Sequence, residues 1–179
     1  NDASASGEDP VQVSFDRLEI TGGQFPGRER FEKALEECEN YNRQLGREKA
    51  TEVLARAKST LKNSGIEMLI VSDKNTKGVP GPFQVNEPFY SMVIADGVSI
   101  KESKSSGGSF GIGKMSAFSA TPLRTVFYST QYSDRGTPVF LAMGKTILTN
   151  YRDSSGQYME NKGYFSDPNT GAIESQDGV

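Results

Sequence analysis

The stretch Ser106-Gly107-Gly108-Ser109-Phe110-Gly111-Ile112-Gly113-Lys114 places four glycines beside one lysine. Glycines let backbone amides approach an anion closely, and the amides that open a helix point towards bound phosphate. We therefore expect a short helix that begins near Lys114 and ends before Pro122. Loop and helix together would form one phosphate-binding device.

A second feature is Asp73, which follows the apolar run at residues 68–71. A short apolar run predicts a buried strand, and the Lys, Asn, Gly and Pro residues that follow it predict a loop. A carboxylate at this junction can accept a hydrogen bond from a nucleobase amino group. Together with the glycine-rich stretch, Asp73 predicts a nucleotide pocket.

The remaining periodicity indicates helices first and strands afterwards. Alternation from Val11 predicts a first strand, and apolar positions at helical spacing predict helices over 31–45 and 50–61. The segments 123–132 and 138–151 are rich in strand-forming residues and flank the turn signal Asp134-Arg135-Gly136, and 158–165 is a third strand candidate. This order predicts an α+β two-layer sandwich rather than repeated βαβ units.

Length and composition limit the classes of protein. The 179 residues predict a single domain over 1–179, and the net charge of -3 gives no general signal for nucleic acid. There is no histidine, so a catalytic triad is excluded, and the one cysteine, Cys38, lies on the apolar face of a predicted helix. That cysteine is expected to be a core residue in a reducing compartment, so we expect a cytoplasmic location, and since no apolar run is long enough to cross a bilayer we expect a soluble chain.

Two segments are expected to be less regular. Weak periodicity and polar composition over about 79–107 predict a lid that covers a site. Lys101 and Lys104 within it are interpreted as solvated charges. The C-terminal residues 167–179 are expected to form a loop or a frayed tail.

This order of features resembles the GHKL ATPase superfamily, which includes gyrase, the ninety-kilodalton heat-shock chaperone, mismatch-repair ATPases and sensor kinases. The opening Asn1-Asp2-Ala3 resembles the last residues of the family's N-box helix. The resemblance implies that the general-base glutamate and the magnesium-binding asparagine lie before Asn1. It also implies a Bergerat-type fold, a mixed and mostly antiparallel sheet with helices on one face.

The resemblance assigns roles to residues that match the family's boxes. Asp73 matches the aspartate that bonds the adenine amino group, and Asn75 and Gly78 follow it in the same loop. The phosphate-wrapping box is matched by Gly108, Ser109, Phe110, Gly111, Ile112 and Gly113, and Lys114 follows where a side chain could reach the terminal phosphate. Asp2 belongs to the N-box side. The family's later threonine near adenine has three candidates, Thr125, Thr146 and Thr149.

The implied function is a Mg-ATP-binding module of a larger protein. It would hydrolyse ATP slowly, and lid closure would signal the nucleotide state to attached domains or to a partner subunit, with ATP and Mg²⁺ as cofactors and a homodimer formed through the full-length protein. A non-catalytic nucleotide sensor is one alternative, and a plain structural domain is another.

A P-loop NTPase is a further alternative, because Gly108 to Lys114 also fits Gly-x-x-x-x-Gly-Lys. Met115 occupies the position where that motif needs a hydroxyl for magnesium, and the preceding residues are polar where a buried strand should lead in. The dinucleotide pattern Gly-x-Gly-x-x-Gly fails because Ser116 stands at the third glycine position.

Overall fold

The computed structural model describes residues 10–94 and 112–175. Its elements are β1 (Gln12–Thr21), α1 (Arg28–Gln44), α2 (Glu48–Lys62), β2 (Gly65–Lys74), α3 (Pro88–Val93), α4 (Ile112–Ala120), β3 (Thr125–Asp134), β4 (Thr137–Ile147), β5 (Tyr151–Arg152), β6 (Tyr158–Met159), β7 (Lys162–Phe165) and β8 (Ile173–Ser175). All strand pairs among these residues are antiparallel. The chain is therefore an α+β protein with antiparallel sheets, as predicted.

The main sheet has the order β3-β4-β7, with β8 also paired to β4. Strands β3 and β4 form a hairpin whose turn residues Arg135 and Gly136 have φ angles of 51° and 86°. Positive φ at both central residues is typical of the type I′ turn, whose twist matches that of the flanking strands. The predicted hairpin is confirmed, and part of the third strand candidate, 162–165, pairs with β4 next to it.

The main sheet is apolar on both faces. Successive side chains of β3 lie on opposite faces of the sheet. Phe127 packs into one core and Tyr128 into the other. The first core holds α1 and α2 through residues such as Phe31 and Leu54. The second core holds α3 through Phe89, which is fully buried. The expectation of helices on one face is correct for α1 and α2 but not for α3, which covers the opposite side.

Helices α1 and α2 pack against each other and enclose a buried ion pair. Glu39 on α1 has a side chain that is only 5% exposed, and its carboxylate lies 2.6 Å from the Lys58 ammonium on α2. Arg43, one turn further along α1, also pairs with Glu39. A buried carboxylate is tolerated when cations neutralise it. The Lys58 contact links α2 to the buried carboxylate of α1.

Strands β1 and β2 form a separate two-stranded antiparallel sheet, which we call the ribbon. It meets the first core at one end, where Ile20 faces Ile66. Further along, Leu69 is 69% exposed, Val71 58% and Phe15 70%. The expectation of a buried strand is therefore wrong for this stretch. Within the described residues β2 pairs only with β1, so no second strand or helix covers the apolar run.

Parts of the predicted lid and of the predicted tail form regular elements that pack against the main sheet. Residues 79–94 contain α3, whose Phe89 and Val93 are buried against β4. The buried Lys145 of β4 donates a hydrogen bond of 2.9 Å to the Val93 carbonyl near the end of α3. In the tail, Asp167 accepts hydrogen bonds from the amides of the turn that precedes β8, which pairs with β4. Residues 95–107 and 176–179 lie outside the described residues.

Candidate functional site

Asp73 is the next-to-last residue of β2, so its predicted place at a strand-to-loop junction is confirmed. It pairs with Val13 of β1, and alternation along the strand puts Val71 on the same face of the ribbon. The carboxylate is exposed and makes no hydrogen bond or ion pair with any described residue. It is therefore an available acceptor with apolar neighbours.

The loop after Asp73 returns to the main sheet through two left-handed residues. Asn75 has a φ of 60°, and its side-chain amide donates to the Pro10 carbonyl at 2.9 Å. Asparagine tolerates this left-handed conformation better than most residues do. Gly78 has a φ of 70°, and a Cβ there would lie 2.1 Å from the Gln131 carbonyl oxygen. Only glycine allows this close approach to β3.

Thr130 on β3 forms a side-chain hydrogen bond with this loop. Its hydroxyl accepts a hydrogen bond of 2.8 Å from the Val79 amide, and the residue is 8% exposed. Sequence reasoning did not include Thr130 among the threonine candidates. The pairing of β3 with β4 was predictable, but nothing in the sequence indicates where the loop crosses β3. Thr130, rather than any of the three candidates, bonds the loop that follows Asp73.

The three threonines considered from sequence make other contacts. Thr125 donates to the Leu123 carbonyl at 2.8 Å, and Thr146 donates to the Arg124 carbonyl at 3.1 Å. The Thr149 hydroxyl lies 2.7 Å from the Asn42 side-chain amide, which donates to it. These hydroxyls tie the ends of β3 and β4 to neighbouring backbone and to α1. They serve the packing of the strand ends.

The glycine-rich stretch leads directly into α4. The predicted short helix is confirmed, and Ile112, Gly113 and Lys114 form its first turn. Phe118 is buried, and α4 packs beside β3. Asp2 and the glycine-loop residues Gly108, Ser109, Phe110 and Gly111 lie outside the described residues. Strand β3 is thus the element that both α4 and the loop after Asp73 contact.

A separate cavity of about 590 Å³ lies on the first-core face of the sheet. Its walls come from the start of α1, from β3, β4 and β7, and from residues 159–161. Of the described residues considered for nucleotide binding, only the threonine candidate Thr146 lines it. This cavity therefore lies apart from Asp73, Gly78 and the start of α4.

The cysteine predicted to be a core residue is fully buried on α1. Burial raises the pKa of the Cys38 thiol, although hydrogen bonding to Thr149 acts in the opposite direction. The thiol lies 3.1 Å from the Thr149 hydroxyl. A protonated, enclosed thiol is a poor nucleophile. Cys38 is a packing residue.

Two features are absent from residues 10–94 and 112–175. None of their helices is both long and apolar enough to cross a bilayer. They also contain no group of three or more carboxylate or cysteine side chains placed to hold a metal ion.

Comparison with protein-family models, curated proteins and solved structures found no match to this chain. The functional conclusion therefore depends on the residues themselves and on their geometry.

Proposed function

We propose that this chain is an ATP-binding module of the GHKL type with a Bergerat-type fold. The observation that supports it most is the start of α4 at Ile112, directly after the glycine-rich stretch. The first amides of a helix have no partner inside the helix and carry its positive dipole end. This arrangement suits the phosphates of a nucleotide, which would lie between the helix start and Gly108 to Gly111.

The purine would lie at Asp73. Its carboxylate accepts a hydrogen bond from the adenine amino group, and the exposed side chains of Val13 and Val71 contact the ring. The contact between Gly78 and β3 fixes the path of the loop between Asp73 and the main sheet. An acceptor that becomes enclosed on binding discriminates against a base that lacks the amino group, because the carboxylate would then lose its partner. The module therefore prefers ATP to ITP.

Mg²⁺ belongs to this proposal as the companion of the triphosphate, since protein-bound Mg²⁺ commonly takes several of its ligands from nucleotide phosphates and water. We propose slow hydrolysis in the longer protein, with closure over the γ-phosphate reporting nucleotide state to attached domains or a partner. A sensor that binds ATP without turnover is the alternative. Phosphate release from Mg-ATP on a longer protein separates the two.

Calorimetry with Asp73→Asn tests the purine contact. We expect the variant to lose about tenfold to a hundredfold in ATP affinity and to lose its preference for ATP over ITP, as removal of a hydrogen bond to a charged group predicts. The matched control is Asp16→Asn, because Asp16 lies on the opposite face of the same ribbon.

Unchanged ATP affinity and unchanged ATP-to-ITP ratio in Asp73→Asn would overturn the assignment. The P-loop alternative makes a different prediction, in which Lys114→Met abolishes binding while Asp73→Asn has no effect. Under the proposal both variants weaken binding, and only Asp73→Asn changes base selectivity.

A further inference from the structure

The cavity on the first-core face of the sheet has the size and lining of a small-molecule site. Ligand pockets in proteins are commonly about 300–1,000 Å³ and mostly apolar, with a few polar groups that orient the ligand. At about 590 Å³ this cavity falls within that range. Its apolar lining includes Phe31, Phe127, Phe165, Leu148 and Met159.

Aromatic rings form one wall of the cavity. The rings of Phe31 and Phe165 have centroids 5.5 Å apart, and those of Phe127 and Phe165 are 5.3 Å apart. Gly144 lies beneath them, and a Cβ there would come 2.7 Å from Phe127 and 2.9 Å from Phe165. The glycine therefore lets both rings lie against β4. Ring edges and faces in such a cluster suit an aromatic ligand, which gains from edge-to-face contacts beyond area burial.

The charged side chains of the lining are Arg30, Glu160 and Lys162. Glu160 and Lys162 carry opposite charges. Arg30 is exposed at the start of α1 and forms no ion pair with any described residue. The lining thus has an excess of one positive charge, and the Arg30 guanidinium can bind a carboxylate through two hydrogen bonds.

We propose that this cavity binds a planar aromatic carboxylic acid of about two fused rings. The rings lie against the phenylalanine wall, and the carboxylate meets Arg30. The site is separate from the proposed nucleotide site, since Asp73, Gly78 and the start of α4 do not line the cavity. Its occupancy and ATP binding are therefore independent in this proposal.

The test is calorimetric titration of the whole chain with naphthoate and with naphthylmethanol, its uncharged analogue. The wild-type protein should bind naphthoate more tightly than the alcohol. Arg30→Gln should weaken naphthoate binding by about threefold to fivefold, the loss of one partly exposed charge contact, and leave the alcohol unchanged. Ala34→Leu, which fills the cavity from α1, should weaken both ligands by about tenfold or more.

Three controls keep the outcome interpretable. Lys49→Gln removes an exposed cation of α2 outside the cavity, and Leu69→Ser removes exposed apolar surface from the ribbon; neither should change naphthoate binding. ATP should not displace naphthoate. Because Arg30→Gln alters an exposed side chain, it tests the proposal even if Ala34→Leu does not fold.

The proposal is overturned if the wild-type protein binds neither probe, if it binds both equally and Arg30→Gln changes nothing, or if a folded Ala34→Leu binds as the wild type does. It is also overturned if Lys49→Gln or Leu69→Ser weakens binding, or if ATP competes with naphthoate. ATP affinity measured on the same variants shows whether the nucleotide proposal stands on its own.

Discussion

Gly78 joins the loop that follows Asp73 to strand β3, and its replacement by alanine tests that junction. Its φ of 70° is left-handed, and a Cβ would lie 2.1 Å from the Gln131 carbonyl oxygen and 3.1 Å from the Thr130 hydroxyl. A left-handed conformation costs an L-residue about 1–2 kcal/mol. Displacing packed neighbours costs about 1–3 kcal/mol more. We expect Gly78→Ala to lower the free energy of unfolding by about 2–5 kcal/mol.

Gly46 provides the matched control for this variant. It has a φ of 66°, and a Cβ there would meet nothing within 4 Å. Gly46→Ala should therefore cost only the conformational part, about 1–2 kcal/mol. Urea unfolding followed by far-UV circular dichroism is the suitable assay, since the chain has no tryptophan.

The difference between the two variants, about 1–3 kcal/mol, measures the close approach of the loop to β3. Equal destabilisation by Gly78→Ala and Gly46→Ala would refute the reasoning, because the loop would then lie away from the sheet. In that case the geometry that leads from Asp73 to Thr130 would also be lost.

Three further predictions concern stability. Phe31→Ala should lower the free energy of unfolding by about 3–5 kcal/mol and Phe15→Ala by less than about 1 kcal/mol, because only the first ring is buried; similar losses in urea unfolding would contradict the exposed ribbon. Lys58→Met should cost about 1–3 kcal/mol and Lys62→Met less than about 1 kcal/mol, since Lys58 pairs with a buried carboxylate and Lys62 with a more exposed one; the reverse order would refute that difference. Burial raises the pKa of the Cys38 thiol and of two tyrosine phenols, so the native chain holds protons that the unfolded chain releases above the usual thiol pKa of 9.0. The urea midpoint should therefore fall as pH rises from about 8 to about 10.5, and an unchanged or higher midpoint would contradict it.

Local patterns in the sequence were enough to predict most elements. The spacing of Phe31, Leu35 and Cys38 predicts one face of α1, and that face is buried in the structure. Asp134-Arg135-Gly136 predicts the β3–β4 turn because glycine readily adopts the positive φ that such a turn requires, and Gly136 has a φ of 86°. Both signals depend only on residues that are near each other in sequence.

Elements stabilised by distant residues were harder to predict. Helix α3 has six residues, too few for a clear helical pattern, and its end is held by Lys145 of β4. The burial of β2 was predicted wrongly because an apolar run indicates that a segment forms a strand but does not show which other elements pack against it. Leu69 and Val71 are exposed because the described structure places nothing over that part of the ribbon.

The candidate site was predictable to a similar extent. Residue type and order were enough to propose Asp73 and a helix start near Lys114, which the structure has at Ile112, because each depends on a local motif. The contact of the loop with Thr130 was not predictable, since it joins Val79 to a strand residue 51 positions later in the sequence. The cavity beside Phe127 and Phe165 likewise arises from packing between α1 and the sheet.

The most direct test of the central claim is amide chemical-shift mapping of the isotope-labelled chain during titration with Mg-ATP. The proposal predicts that the amides of Asp73 and Val13 change together with those of Gly111 and Gly113, with one shared saturation curve. Those of Phe127 and Phe165 should stay near their starting positions. The claim is contradicted if saturating Mg-ATP changes the glycine amides without those around Asp73, or changes neither group.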